Sequence, residues 1–196
     1  VRGFCIAFHA DKPAAYWHGG FSGRAQSDWR VDPLRAGGGV LIMNTTHHVD
    51  LLRYLSDGEV DEVAAFSDRE HPGIEAHIAL SLRLDNGAVG TVAASSAAPG
   101  APEERFEIWG EHGTIRIAPR AEVFTERALE GVTVGEWTSI PADEVDSRAL
   151  FVGDFVRGVR SGDGPAVTPE DGLAVQAVVE AAYASAASGG DWRRVA

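Results

Sequence analysis

The 196-residue chain holds one cysteine, one methionine and one lysine. Cys5 alone can close no intrachain disulfide and build no multi-cysteine zinc site, so a reducing, cytoplasmic setting is the default expectation. Lys12 is the single lysine, so chemistry that needs another must draw it from elsewhere. Positive charge is scarce as well: 17 Lys+Arg against 29 Asp+Glu leave a net charge of −12. That excludes the basic footprint of non-specific nucleic-acid binding and leaves a small polar substrate open. No apolar run approaches the roughly 18 to 20 residues that span a bilayer, and no stretch resembles a secretory signal, so no membrane association is expected.

What is present suits a packed domain. Hydrophobic residues make up 44% and charged residues 23%, enough for a core and unlike a disordered chain. The first residue is Val1 and a strand-like segment follows at once, which reads as a piece of something longer. Residues 1–196 are taken as one domain, the larger part of a two-domain protein.

Val1 to Phe8 is short, apolar and β-favouring, a buried strand. His9 to Gly39 reads as a long irregular stretch rich in Gly and aromatics, and its two tryptophans favour a functional loop over a disordered one. From Gly37-Gly38-Gly39 the pattern turns helical through Leu55 and closes at Asp57-Gly58. Ala76 to Leu84 alternates with period two, and Asp85-Asn86-Gly87 is a hairpin signal before a returning strand at Ala88 to Ala94. Further strands are predicted at 105–109, 114–117, 121–125, 132–134 and 136–140; short connections imply antiparallel pairing. Two helices close the chain, one near 147–160 with Phe151, Phe155 and Val159 on one stripe, one begun by Thr168-Pro169-Glu170-Asp171. The class is α+β: an open, largely antiparallel sheet with helices packed on one face. Its other face needs cover, which suggests a homo-oligomer through the sheet.

Chemistry concentrates between Gly37 and Asp50. On a regular helix Met43, His47 and Asp50 share a face, with Asn44 one turn before His47. A carboxylate or amide at that spacing can orient an imidazole for general-base work, so His47, Asn44 and Asp50 are the catalytic candidates. A core histidine satisfied by Asn44 or Asp50 fits the same periodicity. Gly37, Gly38 and Gly39 let backbone approach a ligand closely before a helix start with free N–H groups, the candidate cofactor contact. No phosphate-loop lysine follows them, and no Gly-x-Gly-x-x-Gly occurs. Trp29 is a candidate to stack on a ligand and Arg30 to hold its carboxylate or hydroxyl groups, Trp17 to sit in a mobile lid, and His48 to face substrate or to cap the sheet. Metal binding is not expected: neighbouring histidines on a helix point roughly 100° apart and rarely share an ion. His71, His77 and His112 fall on predicted loops or strand faces.

The run Trp29-Arg30, Asp32-Pro33, Gly37-Gly38-Gly39 and His47-His48-Val49-Asp50-Leu51-Leu52-Arg53-Tyr54-Leu55 resembles the C-terminal domain of the glucose–fructose oxidoreductase/inositol dehydrogenase (Gfo/Idh/MocA) family. Phe106, Ile108 and Gly110-Glu111-His112-Gly113-Thr114-Ile115 are similar to its late strand pair, and Thr168 to Gly172 with Tyr183-Ala184-Ser185-Ala186 to its last helix. The resemblance implies a dihydrodipicolinate-reductase-like substrate-binding and oligomerisation domain, partnered by an N-terminal Rossmann domain that binds most of an NAD or NADP cofactor. It implies an oxidoreductase acting on the CH–OH group of a sugar or polyol, with the family's histidine at His47 and its lysine, in a Glu-Lys-Pro motif, on the Rossmann half. This piece alone would then be inactive. Many members carry an aspartate four residues before the histidine; Met43 stands there. The alternative is a non-catalytic protein of the same fold that senses a sugar or cofactor, or assembles with a partner.

Overall fold

A computed structural model describes residues 1–24, 27–68, 74–117, 120–141 and 145–196. His71 lies outside them. Strand β1 (Gly3–His9) is followed by two short helices, α1 (Ala14–Gly19) and α2 (Pro33–Ala36), with a 3₁₀ turn at Trp29–Val31 between them. The stretch expected to be irregular therefore has structure of its own. Asp32 caps α2, its Oδ1 accepting from the Leu34 amide at 3.0 Å, and Pro33 fills the first helical position, where no N–H is needed.

The helix expected to run regularly from Gly39 instead opens as a π turn, Leu41–Thr45, and continues as α3 (Thr46–Ser56). The Thr46 amide reaches back to the Leu41 carbonyl, five residues away, and the Thr45 hydroxyl donates to the Val40 carbonyl at 3.0 Å. Asp57, in the left-handed conformation, ends α3.

β2 (Val60–Ser67), β3 (His77–Leu84) and β4 (Val89–Ser95) follow, then β5 (Glu103–Trp109), β6 (Gly113–Ile117), β7 (Ala121–Thr125) and β8 (Thr138–Ile140). Helices α4 (Ser147–Ser161) and α5 (Pro169–Ala187) and the short β9 (Arg193–Arg194) complete the described elements. The sheet runs β8-β7-β6-β5-β1-β4-β3-β2-β9. Every pair is antiparallel except β1 with β4, which the long connection through α3 makes possible. The expected strand at 132–134 is absent, replaced by a turn with one bridge between Leu129 and Val132.

β3 shows why the sheet is covered on one side. Ile78, Leu80, Leu82 and Leu84 are buried while the residues between them are exposed, as period two dictates. Val49 and Leu52 of α3 and Val175, Val178, Val179 and Ala182 of α5 pack into the same core. The opposite face leaves Phe66, Val89 and Trp109 exposed. Helix α4 departs from the pattern. Its stripe of Phe151, Phe155 and Val159 faces solvent, and none of its residues is buried.

Candidate functional site

Three consecutive backbone amides at the start of the helical segment converge on one residue. The Gly39 amide donates to Glu75 Oε2 at 2.6 Å, the Leu41 amide to Glu75 Oε1 at 2.9 Å, and the Val40 amide to the Glu75 carbonyl at 3.0 Å. The Tyr183 hydroxyl of α5 donates to Glu75 Oε1 at 2.9 Å. Burial and the adjacent carboxylate push the Tyr183 phenol well above the usual tyrosine range. A Cβ on Gly39 would overlap the Glu75 main chain, and one on Gly38 would overlap the Tyr183 hydroxyl. The glycines thus serve close approach, as their spacing suggested, but the groups they approach are Glu75 and Tyr183.

Beyond the π turn, His47 and His48 have different surroundings. His48 is buried: its ring lies 5.2 Å from that of Phe8, and its Nε2 stands 3.2 Å from Glu104 Oε1. Its Nδ1 is buried with no partner among the described residues. His47 is exposed, and among the described residues no hydrogen bond occupies its ring. It borders a cleft of about 940 Å³ together with Asp50, Arg53, Tyr54, Glu59 and Asp171.

The charged floor of that cleft is built on Arg53, whose side chain is only 10% exposed. Its Nε and Nη2 bind the Glu59 carboxylate at 2.6 and 2.7 Å, a bidentate pair. Asp171 Oδ1 accepts from Nη1 and Nη2 at 3.4 Å each, and Asp50 Oδ1 lies 3.5 Å from Nη1. Glu59 above all, then Asp171, hold the guanidinium more firmly charged than usual. Asp171 is kept below the ordinary carboxylate range, chiefly by the Thr168 amide and hydroxyl of its capping box, with Arg53 adding to the effect. Asp50, expected to orient His47, is turned to Arg53; Asn44 lies half-buried on the π turn and does not border the cleft.

Trp17, Trp29 and Arg30 lie elsewhere. The Arg30 guanidinium sits 4.6 Å from the Trp29 ring centroid and 5.3 Å from that of Tyr16, with its Nη1 buried and unpartnered among the described residues. Trp17 lines a second cavity of about 430 Å³ with Lys12, His18, Val31, Glu75 and Ser96. The Lys12 ammonium rests over Tyr16 at 4.4 Å. Of the candidates, His47 and Asp50 line the first cavity and Trp17 the second, while Trp29, Arg30, His48 and Asn44 line neither; Glu75, which lines the second, also ties down the turn leading to His47. Sequence reasoning missed Glu75, Arg53 and Asp171 as site residues. Glu75 binds across 36 residues to Gly39 and 108 to Tyr183, separations with no local signature.

Residues 1–116 match the family model of the GFO/IDH/MocA C-terminal domain. The chain belongs to the Gfo/Idh/MocA family. A myo-inositol 2-dehydrogenase of Thermotoga maritima is 29% identical over 152 residues, covering 72% of this chain and 45% of that protein. A D-apiose dehydrogenase of Rhizobium rhizogenes is 30% identical over 159 residues, covering 73% of this chain and 45% of its own. The chain spans about half the length of the curated relatives it matches. Levoglucosan dehydrogenase in complex with NADH and levoglucosan superposes with a TM-score of 0.80 at 23% identity, over 99% of this chain and 58% of that one. An oxidoreductase domain protein from Kribbella flavida gives 0.83 at 20% identity, over 100% and 58%. These two show the shared fold.

The N–H groups behind the glycines, which would cradle a pyrophosphate, are already taken by the Glu75 carboxylate, whose charge would repel one. No three described His, Cys, Asp or Glu side chains are grouped to hold a metal ion, and no described helix is long and apolar enough to cross a membrane.

Proposed function

We propose that this chain is the substrate-binding and oligomerisation half of an NAD(P)-dependent oxidoreductase acting on the CH–OH group of a sugar or polyol. The nucleotide is held by a Rossmann domain outside these residues, so this half alone does not turn over. The observation that carries the reading is His47, an imidazole with no partner among the described residues on the wall of a cleft large enough for a sugar. An imidazole accepts and returns a proton near neutral pH, so His47 takes the proton of the substrate hydroxyl on oxidation and gives it back on reduction. Asp50 and Arg53 supply a carboxylate and a fixed charge on the same wall for neighbouring hydroxyls. The names of the relatives, sugar and polyol dehydrogenases, support that substrate class. Phe66, Val89 and Trp109, exposed on the helix-free face, support association through the sheet.

One observation favours a second reading. Asp50 is engaged by Arg53, and Met43 stands where many members carry an aspartate, so among the described residues no carboxylate is bonded to His47. A protein that binds a sugar without turning it over would look the same. The test presents the intact protein with myo-inositol, D-xylose, D-apiose and levoglucosan, each with NAD⁺ and with NADP⁺, and follows reduced nicotinamide alongside sugar binding. Turnover of one or more sugars is the expected result; binding without turnover would establish the second reading.

A further inference from the structure

We propose that Glu75 is a positioning residue that holds the glycine turn and π turn in the phase that presents His47, and not His48, to the cleft. The proposal rests on the reading of His47 given above. Amides at the start of a helical segment lack intrahelical acceptors, and here those of Gly39, Val40 and Leu41 all end on Glu75. The buried carboxylate also opposes the positive end of the helix. Tyr183 fixes it from the far side through a 2.9 Å hydrogen bond, so α5, the glycine turn and the segment leading into β3 meet at one group.

That anchor stands immediately before the one irregularity in the helix. The π turn carries one more residue per hydrogen-bonded ring than an α turn, and such turns recur at functional sites. Relaxing it to α-helical geometry would shift everything beyond by one residue, roughly 100°. His47 and His48 are adjacent in sequence, one exposed at the cleft and the other buried against Phe8 and Glu104, so a shift of that size decides which imidazole meets a substrate. The Thr45 hydroxyl bond to the Val40 carbonyl satisfies the turn internally, but what holds Val40 itself is the Glu75 carbonyl. Glycine at 38 and 39 is required because side chains there would collide with Tyr183 and Glu75.

The experiment compares Glu75→Gln and Tyr183→Phe with wild type in the intact protein, on a sugar that the panel shows to be turned over. The carboxamide keeps the shape but turns one acceptor into a donor facing N–H and O–H groups. The expected result is a kcat loss on the order of tenfold to a hundredfold for Glu75→Gln with KM within about twofold, and a smaller loss for Tyr183→Phe. Amide hydrogen exchange should accelerate at residues 39–47 while the amides of β3 and β4 keep their protection. Unchanged kcat and unchanged exchange would overturn the proposal, as would a uniform loss of protection across the sheet, which marks a merely structural role. Should Glu75→Gln not fold, Tyr183→Phe carries the same comparison. If wild type turns over no sugar, the functional reading fails separately. The exchange pattern and the NMR environments of His47 and His48 then decide on Glu75: changes confined to residues 39–48 support it, and unaltered spectra refute it.

Discussion

Replacing Gly39 with alanine tests the packing behind the site. The added methyl would meet the carbonyl oxygen, carbonyl carbon and nitrogen of Glu75, main-chain atoms with no rotamer to yield. Either the glycine turn or the start of β3 must move. Overpacking of this kind costs about 1–3 kcal/mol. The movement also breaks one of the two amide bonds to the buried carboxylate, worth about 1.5–3 kcal/mol because the acceptor is charged. The sum is about 2.5–6 kcal/mol, or a fall in melting temperature on the order of 10 °C for a domain of this size. Gly37→Ala is the control. Its φ of 78° penalises any side chain by about 1–2 kcal/mol. Its methyl would meet only the Ile42 Cδ1, at 3.4 Å. Urea unfolding of both variants, with unchanged m-values, should therefore place Gly39→Ala well below Gly37→Ala. A Gly39→Ala variant within about 1 kcal/mol of wild type would refute the close-approach argument.

Other outcomes follow from the same geometry. The Tyr183 phenol is held protonated in the fold above its ordinary value of 10.0, so its stabilisation is full below pH 10 and is lost as pH rises beyond it; Tyr183→Phe should flatten that alkaline limb in a stability–pH curve. Asp171 is shifted the opposite way, so its contribution is present above its ordinary value of 3.8 and disappears as pH falls below; Asp171→Asn should flatten the acid limb. Thr168→Ala, which removes one arm of the α5 capping box, should lower unfolding free energy by about 1 kcal/mol in denaturant titrations. His47→Gln should stay within about 0.5 kcal/mol of wild type, because the ring is exposed and holds no hydrogen bond among the described residues; a larger loss would show that it is structural.

The sheet was legible wherever side-chain period and turn chemistry agreed. The alternation of Ile78, Leu80, Leu82 and Leu84 and the Asn86-Gly87 turn placed β3 and β4 to within a residue. β2 escaped notice because Val63, Ala64 and Ala65 are buried in succession, giving no alternation. The segment 132–134 misled in the other direction: β-favouring residues sit there between Gly131 and Gly135, whose positive φ angles make turns. The π turn could not be seen, since a helical wheel assumes 3.6 residues per turn and nothing in Leu41–Thr45 announces a wider ring. That assumption put Met43 and Asn44 in phase with His47 across the turn; His47 and Asp50 do share the regular helix α3, and their pairing was misread because Arg53, three residues further on and held by Glu59 and Asp171, takes Asp50. The site's longest-range piece, the meeting of Gly39, Glu75 and Tyr183, exists only after the chain has folded.

The most direct test of the central claim is the turnover of the intact protein and its His47→Gln variant, both saturated with sugar and nucleotide, with the sugar dissociation constant measured alongside. The account predicts a kcat lower by about 10²- to 10⁴-fold in the variant with the dissociation constant essentially unchanged. Equal kcat values in the two proteins would contradict it.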